Sequence, residues 1–344
     1  MSLFTPQFQV LSDLHLERPL GAPLYETFPI PVKGSHIFLL GDIGLVLDDA
    51  LFHFFRSLLQ KMRGSRFFYV MGNHEAYRTT LPDAVRRLRA FEKEAIYEFG
   101  GRFVFLNRGR FDVDANTTIL GCTLWSDVLP QQAPDVKAHL TDFDEQKGIH
   151  NWSLESHLEE HWRDRDWLNS QICILKEKEP HRRIIIATHY SPTLDKRAVE
   201  PEHQGSGISS AFATDMSKDP CWLSAAVKLW VFGHTHYNCG FRDEATDKLV
   251  IANQRGYAGA EVLEVLVEPD VNGFKIMTPS QKTKSQKLLK LKPLPELPKP
   301  ETVPKMHYRA LLDRVADRIS RAGQLRSRMM KLRNKAGCED SAGA

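Results

Sequence analysis

Five short apolar segments of this chain each end in a small group of Asp, His or Asn residues, and this repetition restricts the possible folds more than any other feature. The segments are Phe8–Leu11, His36–Leu40, Arg66–Met71, Arg183–Thr188 and Val227–Phe232. Apolar residues recur at helical spacing over residues 48–63 and 82–99, and Leu249–Ala252 and Val262–Val267 look like two strands that close a sheet. Strands that alternate with helices predict a largely parallel sheet covered by helices, in which the carboxyl ends of the strands share one edge.

The polar residues at these strand ends have the chemistry of metal ligands. They are Asp13, His15, Asp42, Asn73, His74, His189, His234 and His236. Each group alone is also typical of a helix cap or a turn. Together they mix carboxylate, amide and imidazole groups without a thiolate, which suits divalent ions such as Mn, Fe or Zn. The set is larger than one ion needs, and two ions roughly 3.5–4 Å apart and bridged by a carboxylate would use nearly all of it.

The overall composition is that of a globular protein, with 42% hydrophobic and 26% charged residues. No apolar run approaches the roughly 18 residues that a transmembrane helix needs, and the N-terminus lacks the pattern of a signal peptide. The five cysteines are scattered and odd in number, so we expect reduced thiols and neither a disulfide framework nor a structural zinc site. These features favour a cytoplasmic protein.

A charge asymmetry separates the C-terminal residues from the rest of the chain. Residues 279–344 hold 16 Lys and Arg against 6 Asp and Glu, whereas the remaining chain holds 30 against 37. We predict one domain over residues 1–278, a linker rich in Pro and Lys over 279–305, and a basic amphipathic helix and tail over 306–344. The basic segment would bind an anionic partner, such as a membrane surface or nucleic acid, or would be a solvated helix without a dedicated partner.

The alternation of predicted strands and helices stops at residues 126–180, a segment with many charged and aromatic residues. We expect a helical insertion over the sheet here, with Ser153 capping a long helix. His157 and His161 are four residues apart and share one face of this helix. They would contact substrate, bind a metal ion or simply pack against the rest of the protein.

The order of these motifs resembles that of the calcineurin-like metallophosphoesterase superfamily, and in particular its small stand-alone members. The motifs are Asp13-x-His15, Gly41-Asp42, Gly72-Asn73-His74-Glu75, His189 and Gly233-His234-x-His236. The resemblance implies an α/β fold, namely a four-layer α-β-β-α sandwich with the metals at the sheet edge. It also implies that Asp13, His15, Asp42 and His236 hold one ion, that Asp42 bridges, and that Asn73, His189 and His234 hold the other. His74 would be the general acid or would stabilise the leaving oxygen, paired with a nearby acidic group.

Two departures from family patterns restrict the activities that the resemblance implies. Many members carry an Asp three residues after the Asp of the Gly-Asp motif, where this chain has Leu45. The Asp-Arg-Gly continuation of Ser/Thr protein phosphatases is also absent, so protein phosphatase activity is not implied. The stretch Asn253-Gln254-Arg255-Gly256-Tyr257 is similar to one found in the small stand-alone members. Its Arg255 would contact a substrate phosphate or form a structural turn.

The function that the resemblance implies is hydrolysis of phosphomonoesters or phosphodiesters by a dimetal centre. Two cations would neutralise the phosphoryl oxygens and lower the pKa of a bridging water from about 15.7 towards about 7, which supplies hydroxide for attack on phosphorus. Small phosphorylated substrates are favoured, because the helical insertion would cover the site. The alternatives are a nuclease that uses the basic tail for phosphate contacts, and a scaffold that keeps the fold without catalysis.

Overall fold

The computed structural model describes residues 5–257, 263–271 and 273–277, and its strands form two six-stranded sheets. In chain order the strands are β1 (Phe8–Leu11), β2 (His36–Leu40), β3 (Arg66–Val70), β4 (Phe103–Phe105), β5 (Gly109–Asp112), β6 (Thr117–Cys122), β7 (Arg183–Thr188), β8 (Val227–Phe232), β9 (Cys239–Arg242), β10 (Leu249–Ala252), β11 (Leu266–Asp270) and β12 (Gly273–Ile276). The first sheet has the order β12-β11-β1-β2-β3-β4 and the second the order β5-β6-β7-β8-β10-β9. Strands β1 to β4 are parallel to one another, and so are β6, β7, β8 and β10.

A shared core between the two sheets explains why the central strands are apolar on both sides. Successive residues of a strand point to opposite faces of its sheet. In β2, Phe38 and Leu40 lie in the core between the sheets, whereas Ile37 and Leu39 belong to the outer cluster that the helices cover. From the second sheet, Ile185 of β7 enters the same inner core. Both faces of these parallel strands are therefore buried, as is usual in α/β proteins.

Helices cover the outer faces of the sheets. They are α1 (Asp49–Lys61), α2 (Leu81–Glu98), α3 (Ala133–His139), α4 (Leu154–Lys178) and α5 (Pro220–Leu223). Helices α1 and α2 are crossovers of the first sheet, and their Phe55 and Phe91 pack on Phe103 of β4. On the second sheet, α4 buries Ile172 in the same cluster as Ile184 of β7. The predicted four-layer α-β-β-α arrangement is confirmed.

The segment predicted as a helical insertion, about residues 126–180, contains α3 and α4. Helix α4 is at the same time the connection between the parallel strands β6 and β7, so it forms part of the outer layer. The side chain of Ser153 caps α4 as predicted, because it accepts a hydrogen bond from the backbone N–H of Ser156 at 3.2 Å.

The histidine pair on α4 packs against the chain that follows β6. Both His157 and His161 are fully buried. Nε2 of His157 lies 2.9 Å from the hydroxyl of Ser126, and Nδ1 of His161 donates to the carbonyl of Leu124 at 2.8 Å. Burial lowers the pKa of both imidazoles, so they are neutral at pH 7. Among the alternatives for this pair, packing is the one that these contacts describe.

The prediction that two strands near the end of the domain close one sheet is wrong, because they belong to different sheets. Strand β10 pairs in parallel with β8 in the second sheet, whereas β11 pairs antiparallel with β1 in the first. The chain therefore passes from one layer to the other between residues 252 and 266. Apolar periodicity identifies a strand but carries no information on which of the two sheets that strand joins.

The C-terminal predictions lie outside the described residues. These are the linker over residues 279–305 and the basic helix and tail over 306–344. A domain boundary near residue 278 thus stays a prediction. In the part of the chain that the structure describes, no helix is both long enough and apolar enough to span a bilayer.

Candidate metal centre

The eight predicted site residues lie together where the parallel strands of both sheets end. Asp13 and His15 follow β1, Asp42 follows β2, Asn73 and His74 follow β3, His189 follows β7, and His234 and His236 follow β8. All are buried except His236, which is partly exposed. Backbone hydrogen bonds tie the loops to one another within each sheet, since the N–H of His15 donates to the carbonyl of Asp42 at 2.9 Å and that of Gly233 to His189 at 2.8 Å.

The potential ligand atoms of these side chains face one another at short range. Nε2 of His15 lies 3.0 Å from Nε2 of His236, and Nδ1 of His234 lies 3.2 Å from Nε2 of His189. The carboxylate of Asp42 lies between these pairs, 3.9 Å from His15 Nε2 and 3.5 Å from His189 Nε2. Three overlapping sets have all their donor atoms within 4.8 Å, namely Asp13/His15/His236, His15/Asp42/His74 and Asp42/His189/His234. His15 and Asp42 each belong to two of the three sets.

Two buried atoms of the predicted metal ligands have no hydrogen-bond partner among the described residues. They are Oδ1 of Asp13 and Nε2 of His234. An unsatisfied buried polar atom costs about 1–3 kcal/mol, a cost that a bound ion or water would offset. Imidazole nitrogens and carboxylate oxygens gathered in this way fit a borderline divalent cation.

Five of the seven predicted metal ligands have a left-handed backbone conformation. The φ angles are 53° for Asp13, 47° for His15, 52° for Asp42, 69° for His234 and 52° for His236. This conformation costs a residue other than glycine roughly 1–2 kcal/mol. Strain of this kind gathers at functional sites, where the surrounding structure enforces it. The sharp turns after the strands aim these side chains back at a common point.

Glycines at two motif positions let the loops approach closely enough for these contacts. A Cβ at Gly72 would lie 2.2 Å from Oδ1 of Asp42, and one at Gly233 would lie 2.1 Å from Oγ of Ser12. Both distances are far below van der Waals contact. The Gly-Asn-His and Gly-His-x-His motifs therefore need glycine because a larger residue would not fit between the loops at the centre.

The protonation states of Asp13 and His234 suit a cation. Burial alone would raise the pKa of Asp13, but the neighbouring His236 and His189 lower it to about 2. Burial lowers the pKa of His234 well below its usual value, and His189 adds to this effect. Asp13 is therefore an anion and His234 a neutral imidazole at pH 7, which are the forms that bind metals. Burial opposes the charged form of His189, yet Asp42 raises its pKa to about 9, which reports the negative potential at this point.

Glu17 is a functional candidate that the sequence reasoning missed. Its Oε1 lies 3.2 Å from Nδ1 of His15 and 3.2 Å from Nδ1 of His74. Burial would raise the pKa of Glu17, but hydrogen bonds with these two imidazoles lower it to about 2, so it is ionised. A signal for it was present, because the alternation Asp13-x-His15-x-Glu17 continues the first motif.

Two further buried carboxylates support the centre without belonging to the predicted ligands. Glu75 accepts hydrogen bonds from the backbone N–H groups of Asp42 and Gly72 at 3.0 and 2.8 Å, and so joins the second and third motifs. Asp142 accepts a hydrogen bond from Nδ2 of Asn73 at 2.7 Å, while Oδ1 of the same amide lies 3.2 Å from Nε2 of His189. Glu75 lies within a motif, but no sequence signal distinguishes Asp142.

Comparison with known proteins identifies the family. A sequence model of the calcineurin-like phosphoesterase family matches residues 7–238. The chain belongs to this family. It is 26% identical over 261 residues to an uncharacterized protein of Acanthamoeba polyphaga mimivirus, which covers 72% of this chain and 90% of that protein.

Among solved structures, the phosphopantetheinyl hydrolase of Mycobacterium tuberculosis has a similar fold. The TM-score is 0.52 at 14% identity, and the match covers 80% of this chain and 96% of that protein. Family, fold and the clustered donor atoms together support a metal-dependent phosphoesterase.

Proposed function

We propose that this protein hydrolyses small phosphate esters with two divalent cations, Mn, Fe or Zn. One cation would be held by Asp13, His15, Asp42 and His236, and the other by Asp42, Asn73, His189 and His234. The observation that carries the proposal is the pair of imidazole contacts, at 3.0 and 3.2 Å, with the Asp42 carboxylate between them. These contacts bring the lone pairs of several side chains close to one another. A cation bound between them would accept those lone pairs.

Bound cations would supply Lewis acidity, which neutralises charge on phosphoryl oxygens and makes water more acidic. The chain's own residues supply orientation. Oδ1 of Asp42 accepts the backbone N–H of His74 at 2.9 Å, so the carboxylate shared between the ion sites and the proposed acid are fixed relative to each other. Oδ2 of Asp13 accepts the backbone N–H of His234 at 3.0 Å, which joins the first sheet to the second at the site.

We assign the role of general acid to His74. Glu17 contacts Nδ1 of its ring, and Nε2 lies 3.9 Å from Oδ2 of Asp42, on the side of the centre. Burial opposes protonation of His74, but Asp42 and Glu17 outweigh it and raise the pKa of the imidazole. As the bond between phosphorus and the leaving oxygen breaks, Nε2–H would give its proton to that oxygen. A positioned acid of this kind contributes about 10²- to 10⁴-fold in rate.

The decisive experiment measures metal content and turnover on the same preparations. We expect two divalent ions per chain and Mn²⁺-dependent release of p-nitrophenol from p-nitrophenyl phosphate or its bis ester. His234→Ala and His236→Ala should each lose mainly one ion, because each imidazole would serve a different cation. His139→Ala is the matched control, since this exposed histidine of α3 lies outside the centre, and its Nδ1 hydrogen-bonds to the carbonyl of Asp135 in the same helix.

Two outcomes would contradict parts of this proposal. Full metal occupancy without turnover on any phosphate ester would favour the scaffold alternative. If neither histidine variant lost an ion, the two-site arrangement would be wrong.

Location and partners are part of the proposal. Cys122, Cys173, Cys221 and Cys239 are free thiols, which fits a reducing compartment such as the cytoplasm. The basic residues 279–344 would bind an anionic partner. If that partner is a nucleic acid, its affinity should fall steeply with salt and disappear when these residues are deleted.

A further inference from the structure

The stretch Asn253–Tyr257 is attached to the loop that carries the first predicted ligands. The backbone N–H of Arg255 donates to the carbonyl of Ser12 at 3.2 Å. Its guanidinium donates to the carbonyl of Leu14 at 2.7 Å. Of the two alternatives for Arg255, these contacts describe the structural one. The consequence is that the next side chains along the stretch are held against the centre.

Tyr257 occupies the open side of the candidate metal centre. Its hydroxyl lies 2.9 Å from Nε2 of His74. Its ring centroid lies 4.4 Å from that of His15 and 4.5 Å from that of His236. The residue is 54% exposed, so it stands between the site and solvent. Because Nε2 of His74 is the atom that we propose to face the leaving oxygen, the Tyr257 hydroxyl lies where substrate oxygens would bind.

Arg18 adds a positive charge beside this tyrosine. Its guanidinium carbon lies 4.4 Å from the centroid of the Tyr257 ring, and the residue is exposed. Within the described part of the chain this guanidinium forms no ion pair. The carboxylate of the adjacent Glu17 contacts His15 and His74 instead. A guanidinium carries five N–H donors and matches the geometry of phosphate oxygens.

We propose that Arg18 and Tyr257 form a recognition site for the phosphoryl group of a phosphomonoester, an inference that rests on the proposed phosphoesterase function. The phenol would donate a hydrogen bond to one phosphoryl oxygen, and Arg18 would pair with the charge of the group. A phosphomonoester carries about −1.5 to −2 charges at pH 7, more than the single charge of a diester. A diester would also have to place its second substituent beside Tyr257. Both effects favour monoesters.

The test compares Arg18→Gln and Tyr257→Phe with the wild-type full chain, all loaded with metal. The control is Arg86→Gln, which removes an exposed guanidinium of α2 that pairs with Asp83. Turnover of p-nitrophenyl phosphate and bis-p-nitrophenyl phosphate is measured together with calorimetric binding of inorganic phosphate. Loss of a charge-assisted hydrogen bond predicts a fall of roughly tenfold or more in monoester kcat/KM and in phosphate affinity for Arg18→Gln.

The expected pattern separates recognition from a structural role. For Arg18→Gln, diester kcat/KM should fall less than monoester kcat/KM, because a diester carries only one charge, and Arg18→Lys should recover part of the loss. Tyr257→Phe should weaken phosphate binding by roughly two- to tenfold, the scale of a neutral hydrogen bond. Metal content and unfolding temperature should stay at the wild-type values in all variants.

Three results would overturn the inference. They are unchanged phosphate affinity in both variants, equal losses on monoester and diester in Arg18→Gln, and loss of metal in Tyr257→Phe. If the wild type hydrolyses no phosphate ester, the proposed function fails. The phosphate titrations then still decide whether Arg18 and Tyr257 bind a phosphoryl group.

Discussion

Glu17 holds the Nδ1 atoms of both His15 and His74, each 3.2 Å from the same carboxylate oxygen. One side chain thereby fixes a proposed ligand and the proposed acid. Many family members have an acidic residue at the position of Leu45, which in this chain is buried and apolar. Glu17 supplies a carboxylate to His74 from a different loop. At the residue scale, a side chain outside the motifs that identify the family therefore contacts two of the candidate site residues.

The first prediction separates the two roles of Glu17. At saturating metal, His74→Asn should keep both ions and lower kcat by about 10²- to 10⁴-fold, because only the acid is lost. Glu17→Gln should also lower kcat, and should in addition weaken one metal site by about 10- to 100-fold, because His15 loses its orienting partner. Metal titration calorimetry and steady-state kinetics check both. Unchanged kcat in His74→Asn would remove His74 from the mechanism.

Asp142 carries the second prediction. It accepts a hydrogen bond from the Asn73 amide, which directs the amide oxygen towards His189. Asp142→Asn replaces one carboxylate oxygen by an NH2 group, which cannot accept the hydrogen bond from the Asn73 amide. The Asn73 side chain is then less firmly oriented, so one of the two metal sites should weaken by about 10- to 100-fold. Asp144→Asn is the control, because it changes a nearby exposed carboxylate that accepts hydrogen bonds from the backbone N–H groups of Gln146 and Lys147, both at 2.9 Å. Equal metal affinities in Asp142→Asn and wild type would show that Asn73 needs no such support.

At the element scale, the strand-end loops matter because they bring two separate sheets into contact. The third prediction concerns Gly233, which follows β8 and faces the loop after β1. In Gly233→Ala the new Cβ would lie 2.1 Å from Ser12 Oγ and 2.6 Å from Asp13 Oδ2. The loops must separate, so metal binding should weaken, and the free energy of unfolding should fall by about 1–3 kcal/mol.

The control for that variant is Gly207→Ala. Neither Gly207 nor Gly233 has a left-handed φ, and a Cβ added at Gly207 would lie 3.9 Å from Oδ2 of Asp135, so this variant replaces a glycine without a clash. Urea denaturation and metal analysis compare the two variants. A Gly233→Ala protein that binds two ions with wild-type affinity would contradict the close approach of the two loops.

At the scale of the whole molecule, the candidate centre joins the two sheets and concentrates buried charge. The fourth prediction is that chelation lowers the unfolding temperature, because bound metal stabilises the folded state. At a metal concentration about 100 times Kd the stabilisation is about 2.7 kcal/mol for one site. Differential scanning calorimetry with EDTA, and then with Mn²⁺ restored, measures it. A double variant, His234→Ala with His236→Ala, should show a much smaller shift, and an identical shift would place the metal effect elsewhere.

The fifth prediction concerns the extent of the domain. The strands of both described sheets lie between Phe8 and Ile276. Deletion of residues 279–344 should therefore leave turnover of small substrates and the unfolding temperature unchanged. Loss of folding in the truncated chain would show that the predicted boundary near residue 278 is wrong.

The sequence by itself determined the central strands, the helices α1, α2 and α4, the family and the set of eight candidate residues. Apolar segments buried on both faces, such as β2 and β7, have a pattern that depends on local composition alone. A turn motif at the end of a strand is local in the same way, so Asp13-x-His15 and Gly233-His234-x-His236 could be recognised without coordinates.

The tertiary structure alone decided which residues support those eight. Asp142 reaches Asn73 from 69 positions away, and Tyr257 reaches His74 from 183 positions away. It also decided that β10 and β11 join different sheets. The physical reason is the same in each case. A single carboxylate, hydroxyl or strand has no distinctive local pattern, because its role depends on the packing of distant segments, which no spacing in the sequence encodes.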